Sequence, residues 1–284
     1  MARSFERSRE DVGNIVALEH VNVTIPDQRL ATLFYVVGMG FTRDPYLSVG
    51  DENMWVNLGR QQFHLPTRGA QVLRGHVGVV VPDLAALAAR LGRVRAKLAG
   101  TRFACSENNG HVAVTCPWGN ELRCYAPQPR FGDMTFGMAY VEFTVRPGTA
   151  PGIARFYEHV LAARTALSRD DAMATVSVGH DQQVIFREND APPRDYDGHH
   201  IAVYIADFST PHRLLAQRGL VTEESDEHQY RFQHIVDPET GARLFEIEHE
   251  VRSLKHPMWG RALVNRNPAQ TQRGYVRGRD AYGG

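Results

Sequence analysis

Apolar and polar residues alternate along the chain in four separate places, and each place has the same shape. The segments are His20-Val-Asn-Val-Thr-Ile-Pro-Asp27, His76-Val-Gly-Val-Val-Val-Pro-Asp83, Tyr140-Val-Glu-Phe-Thr-Val-Arg-Pro147 and His200-Ile-Ala-Val-Tyr-Ile-Ala-Asp207. Their density of β-branched and aromatic residues predicts strands. Three of the four end in Asp, a good helix N-cap. A helical period follows each: Leu30, Leu33, Phe34 and Val37; Leu84, Leu87, Ala88 and Leu91; Ile153, Phe156, Tyr157 and Val160; Leu214, Leu215 and Ala216. This spacing gives each helix one apolar face to lay on a sheet.

Paired short strands come next, over 54–58 and 61–65, 111–115 and 121–125, 175–178 and 183–187, and 229–235 and 243–248. Tight turns such as Gly59-Arg60, Pro117-Trp-Gly-Asn120 and Asp237-Pro-Glu-Thr-Gly241 join several of these pairs and mark antiparallel hairpins. The chain therefore reads as a fourfold internal repeat, with units beginning near residues 15, 72, 136 and 196. One unit alone cannot bury its sheet, so units must pair. The expected division is a polar N-terminus over 1–14, a first domain over 15–128 (modules 15–68 and 72–127) and a second over 129–251 (modules 136–190 and 196–250). A tail over 252–284, rich in Arg, Gly and Asn, is expected to run extended, loose or wrapped over a neighbouring surface.

Composition narrows the partners. The 284 residues carry 32 basic and 32 acidic side chains and no net charge, so nothing marks a nucleic-acid or anionic-membrane footprint. No window approaches the roughly 18 apolar residues of a membrane span, and the charged start has no apolar run of signal-peptide type. A cytoplasmic location is expected. Three cysteines, Cys105, Cys116 and Cys124, without close pairs argue against a disulfide framework or a thiolate zinc site.

The repeated strand opening, the Asp-capped helix and the hairpin endings resemble the vicinal oxygen chelate superfamily, over residues 15–250. That family includes glyoxalase I, fosfomycin-resistance enzymes, bleomycin-binding proteins, methylmalonyl-CoA epimerase and extradiol ring-cleaving dioxygenases. The resemblance implies an α+β fold in which four βαβββ modules pair into two tandem half-open barrels. It also implies a divalent metal, Fe2+ first and Mn2+, Ni2+ or Zn2+ as alternatives. The ligands would come from the first residue of the opening strands and from the last strand of each unit. Imidazole and carboxylate suit such an ion and leave positions open for substrate.

Carried over residue by residue, the first domain offers His20, His64 and His76, with Arg123 standing where the family has Glu. The second offers His200 and Glu246, with Tyr140 in place of an opening His and Glu142 as its substitute. By the same resemblance, His228, Tyr230 and His234 on one strand are candidate acid, base or substrate contacts. The plain alternatives are barrel-lining histidines bonded to neighbours, a buried His200–Glu246 ion pair, and solvated strand ends at Glu248–Glu250. Trp55 reads as core, Trp118 as a cover for the barrel mouth, and Trp259 as an anchor for the tail.

Two functions compete. One is a metal-dependent enzyme of the glyoxalase or extradiol-dioxygenase type, acting on a small oxygen-rich or catechol-like substrate. The other is a metal-free small-molecule binder of the bleomycin-resistance type, with Arg123 or Tyr140 filling the metal position. A small-molecule substrate is the expected partner, no nucleic acid or membrane is, and the layout allows a homodimer.

Overall fold

A computed structural model describes residues 5–47, 50–191 and 194–267. Each repeat folds as one βαβββ module. The first holds β1 (Ile15–Asn22), α1 (Gln28–Ala31, running on as a wider π-helical turn over Thr32–Gly38), β2 (Thr42–Arg43), β3 (Asn53–Leu58) and β4 (Gln61–Pro66). The second holds β5 (Gly75–Val80), α2 (Leu84–Val94), β6 (Ala104–Asn108), β7 (His111–Thr115) and β8 (Glu121–Tyr125). The third holds β9 (Gly137–Val145), α3 (Ala150–Leu161), β10 (Thr165–Leu167), β11 (Met173–Ser177) and β12 (Gln183–Glu188). The fourth holds β13 (His200–Ile205), α4 (Ser209–Gln217), β14 (Val221–Asp226), β15 (Gln229–Val236) and β16 (Arg243–Ser253).

Local chemistry places these elements. The Asp27 carboxylate accepts from the N–H groups of Arg29 and Leu30 (2.6 and 3.1 Å), and that of Asp83 from Ala86 (2.9 Å), so both satisfy orphan donors of a helix start. Asp207 does the same for the Thr210 N–H at 3.2 Å. The π turn in the first helix changes its buried face. Phe34 and Tyr35 are fully buried, whereas Val37, which a regular 3.6 period puts on the apolar face, is exposed.

Two eight-stranded mixed sheets result, in the orders β14-β15-β16-β13-β1-β4-β3-β2 and β10-β11-β12-β9-β5-β8-β7-β6. They form the two half-open barrels of the expected α+β fold. Their membership does not follow sequence neighbours. Modules one and four share the first sheet through antiparallel β1–β13, and modules two and three share the second through β5–β9. The helices keep the other pairing. Gly38 at the end of the first helix sits against Leu91 and Val94 of α2, while Phe156 and Tyr157 of α3 meet Phe232 and His249 of module four. The halves expected at 15–128 and 129–251 thus share apolar packing within themselves, and each sheet crosses between them. The opening strands carry equivalent edges, so the repeat alone does not dictate which pair joins.

One extended apolar core fills the helix-covered faces of both sheets. The opposite faces form two cups: the outer cup, of β1, β4, β13 and β16, gathers buried polar side chains, and the inner cup, of β5, β8, β9 and β12, mixes polar side chains with a small apolar cluster of its own. After β16, which runs on to Ser253, the described part of the chain lies over the first sheet. Trp259 tilts on Tyr204 (4.7 Å between ring centres), Arg261 pairs with Asp44 (2.9 Å), and Asn265 bonds the Gly59 backbone. Residues 268–284 lie outside the described residues. Trp118 packs against the core. No described helix is long and apolar enough to cross a membrane.

Candidate metal centre

Parallel register assigns the equivalent positions in the four modules. Asn22 lies opposite His64, Gly78 opposite Arg123, Glu142 opposite Ile185 and Ala202 opposite Glu250. Each of the first-named residues lies two places after an opening residue: His20, His76, Tyr140 or His200. The outer cup therefore presents His20, His64, His200 and Glu250. The inner cup presents His76, Arg123, Tyr140 and Ile185.

His20, His64 and His200 converge, with one ligand atom from each within 4.8 Å of the others. His20 is fully buried and His200 nearly so. The Nε2 atoms of all three are buried without a hydrogen-bond partner. Three buried, unpaired atoms on converging rings are costly unless something binds there, and an imidazole-rich donor set fits a divalent transition metal. The Glu250 carboxylate, 2% exposed, brings Oε2 to 3.6 Å from His200 Nε2.

The surroundings fix the rings. His20 Nδ1 bonds Glu19 Oε2 at 3.0 Å, which holds Nδ1 as the donor and leaves Nε2 free, and His200 Nδ1 lies 3.3 Å from Glu248 Oε1, which puts a carboxylate on the same side of that ring. His64 stacks on Trp55 at 3.8 Å, which makes Trp55 a wall of the site as well as a buried residue. Arg231 spans Glu248 and Glu250 (2.5 and 2.6 Å), and Arg252 joins Glu19 to Glu250. Burial above all, with the nearby positive charges of Arg252 and Arg231, pushes the His64 pKa down to about 2. Burial and the same neighbours carry His200 well below its ordinary value. Both imidazoles are neutral and ready to ligate. Burial alone would raise the Glu19 pKa, but His20, Arg252 and Tyr204 reverse that and hold it ionised.

A β-bulge makes this possible. Leu18 faces Val203 and His20 faces the next residue back, Ala202, so Glu19 is the extra residue in β1. Leu18 stays in the core while Glu19 and His20 both turn into the cup.

The structure regroups the residues expected from sequence. His20 and His64 belong together, but their third histidine is His200 from module four. His76 lies in the inner cup, 3.2 Å from the Tyr140 hydroxyl, so neither His76 nor Tyr140 joins the set to which sequence adjacency assigned it. Glu246 bonds Gln233 (2.5 Å) and is not the partner of His200. Residues 246, 248 and 250 share one face of β16, and β16 runs on to Ser253, so alternation alone cannot choose among them; register selects Glu250.

His228, Tyr230 and His234 do not form a catalytic row. Tyr230 faces the helices, against Phe208 and His212; His228 sits in the turn beside Glu227; His234 lies opposite Glu246 past a register shift in β15. Arg231, on the alternate face, is what reaches the site. Glu19, Arg231 and Arg252 escaped the sequence reading, and the Glu248–Glu250 run, read as a solvated strand end, is turned into the site with Glu250 buried. The alternating Glu run in β16 was the one visible signal for them, and it reads equally well as a solvated strand end. Among the described residues, no second such cluster forms in the inner cup.

No family model and no curated protein matches the chain. Solved structures do. A candidate dioxygenase from Bacillus subtilis aligns at TM-score 0.55 and 14% identity, over 84% of this chain and 85% of its own. Glyoxalase I from Zea mays aligns at TM-score 0.53 and 15% identity, over 83% and 92%; a point mutant of that enzyme does so at 0.55 and 16%, over the same shares. At these identities the likeness speaks for the fold. What the chain shares with them is the fold of four βαβββ modules in two half-open barrels.

Proposed function

We propose that the chain is a divalent-metal-dependent enzyme of the glyoxalase or extradiol-dioxygenase type, acting in its outer cup on a small substrate with neighbouring oxygens. The observation that carries the reading is the trio of buried, partnerless Nε2 atoms of His20, His64 and His200. These three residues, with Glu250, would hold the ion. The set contains the two-His, one-carboxylate combination of non-haem ferrous sites, so Fe2+ comes first and Mn2+, Ni2+ and Zn2+ follow.

When bound, such an ion supplies Lewis-acid stabilisation of negative charge on substrate oxygen. The chain's own residues do the rest. Glu19 and Glu248 orient the two opening-strand imidazoles. Arg231 and Arg252 hold the carboxylates in place and limit the net negative charge. Trp55 closes one side of His64 against water. Metal analysis of protein purified without chelator tests the proposal. About one equivalent of a transition metal in the wild type and none in His64→Ala is expected; equal metal in both, or none in either, refutes it.

A further inference from the structure

Among the described residues the inner cup gathers no metal-ligand cluster, but it borders an open cavity of about 900 Å3. Where the outer cup has His64, the inner cup has Arg123, which lines that cavity, is exposed, and makes no hydrogen bond or ion pair among the described residues. Glu142, the nearby carboxylate, is already held at both oxygens by Arg187 (2.9 and 3.1 Å). Arg130 adds a second positive charge, its guanidinium 4.3 Å from the Tyr125 ring centre and 4.5 Å from that of Phe131. The remaining acids of the cavity, Glu10, Asp11 and Asp181, belong to the N-terminal segment and the β11–β12 turn, not to the strands that carry Arg123 and the aromatic wall.

The wall beside Arg123 is aromatic and ordered. Tyr125, Phe131, Ala139 and Tyr140 form a small apolar cluster apart from the main core. Tyr140 Oη lies 3.2 Å from His76 Nε2 and 3.0 Å from Tyr125 Oη, a chain of hydrogen bonds ending at the cavity. Burial, with Tyr125, raises the Tyr140 pKa, so the phenol stays neutral. Gly78 holds the position of Asn22 in the outer cup, and a Cβ there would come within 2.0 Å of the Tyr140 ring. The missing side chain is what lets the phenol lie across β5.

We propose that the inner cup is a second ligand site, for a flat aromatic carboxylate whose carboxylate pairs with Arg123 and whose ring lies against Tyr125, Phe131 and Tyr140. Guanidinium matches carboxylate geometry, and an apolar wall with a few placed polar groups is the usual make-up of a small-molecule site. The site does not depend on the outer cup holding metal.

Calorimetric titration of the full-length protein with benzoate, in the presence of chelator so that no metal in the outer cup competes for the carboxylate, tests it. One equivalent of benzoate is expected to bind. Benzamide, and Arg123→Gln with benzoate, should each lose about tenfold or more in affinity, the scale of a lost charge-assisted hydrogen bond. Arg123→Lys should recover part of it, and His64→Ala should bind as the wild type does. Arg123 is exposed, so its variants should melt like the parent. The proposal is overturned if millimolar benzoate does not bind, if Arg123→Gln binds it unchanged, or if His64→Ala abolishes binding.

Discussion

His20 and His200 have carboxylates beside Nδ1, whereas His64 is held by the face of Trp55. This difference assigns separate consequences to neighbouring residues. Glu250→Gln removes the one carboxylate at a metal position and should weaken metal binding by about tenfold or more, within the range seen when groups around a metal are altered. Glu246→Ala, two rungs along the same face, should leave metal stoichiometry unchanged. Competition with a chelating dye measures both, and equal losses would contradict the register assignment. His76 gives a pH prediction. Burial holds its pKa near 4, against an ordinary 6.5, so the folded protein keeps it neutral while the unfolded chain takes up a proton. Stability must then fall as pH drops from 6.5 toward 4, by up to about 1.4 kcal/mol per pH unit for this one group. Urea melts of His76→Gln should show a shallower acid slope than the wild type; an identical slope would mean that His76 is not buried neutral.

At the scale of elements, the bulge in β1 is what sets a run of ordinary strand residues apart from a site. Glu19→Ala keeps the extra residue and the register, so the protein should still fold, but it leaves Arg252 short of a buried partner and should cost about 3 kcal/mol or more. Deleting Glu19 straightens the strand and turns Ile15 and Leu18 out of the core, so no cooperative thermal transition should survive. A deletion variant melting like Glu19→Ala would sink the claim. The same strand shows what a sequence can and cannot disclose. Strand and helix periods were plain in all four modules because β4, β7, β8, β12 and β15 alternate against a large core. The edge strands β2, β6, β10 and β14 were not, since segments such as Val-Thr-Glu-Glu-Ser-Asp are exposed on both faces and have no apolar side to display. Strand register within a module was legible too: His64 and Arg123 lie opposite Asn22 and Gly78, the same step into their opening strands, because their hairpins are short. The bulge at Glu19 and the long β16 carry no local signature, and both shift which side chain meets which.

For the whole molecule, the decisive fact is that apolar packing and sheet continuity follow different pairings. The helices join modules one to two and three to four, while the sheets join one to four and two to three. Sequence order is a fair guide to the first, because short connections keep neighbouring modules close. It is silent on the second, because four similar opening strands present four similar edges. The outer cup is consequently shared between the halves: His20 and His64 come from residues before 128, His200 and Glu250 from residues after it. Two chains covering 1–128 and 129–284, purified apart, should each bind metal far more weakly than the intact protein, since each holds two of the four positions. Mixed, they should associate through the β1–β13 and β5–β9 edges and regain one equivalent of metal per pair, readable by size-exclusion chromatography with metal analysis of the complex. If either half alone held a full equivalent at undiminished affinity, the site would lie within one half and the crossing of the sheets would have no functional consequence. Recovery only on mixing would tie the chemistry of the outer cup to strand pairing between halves.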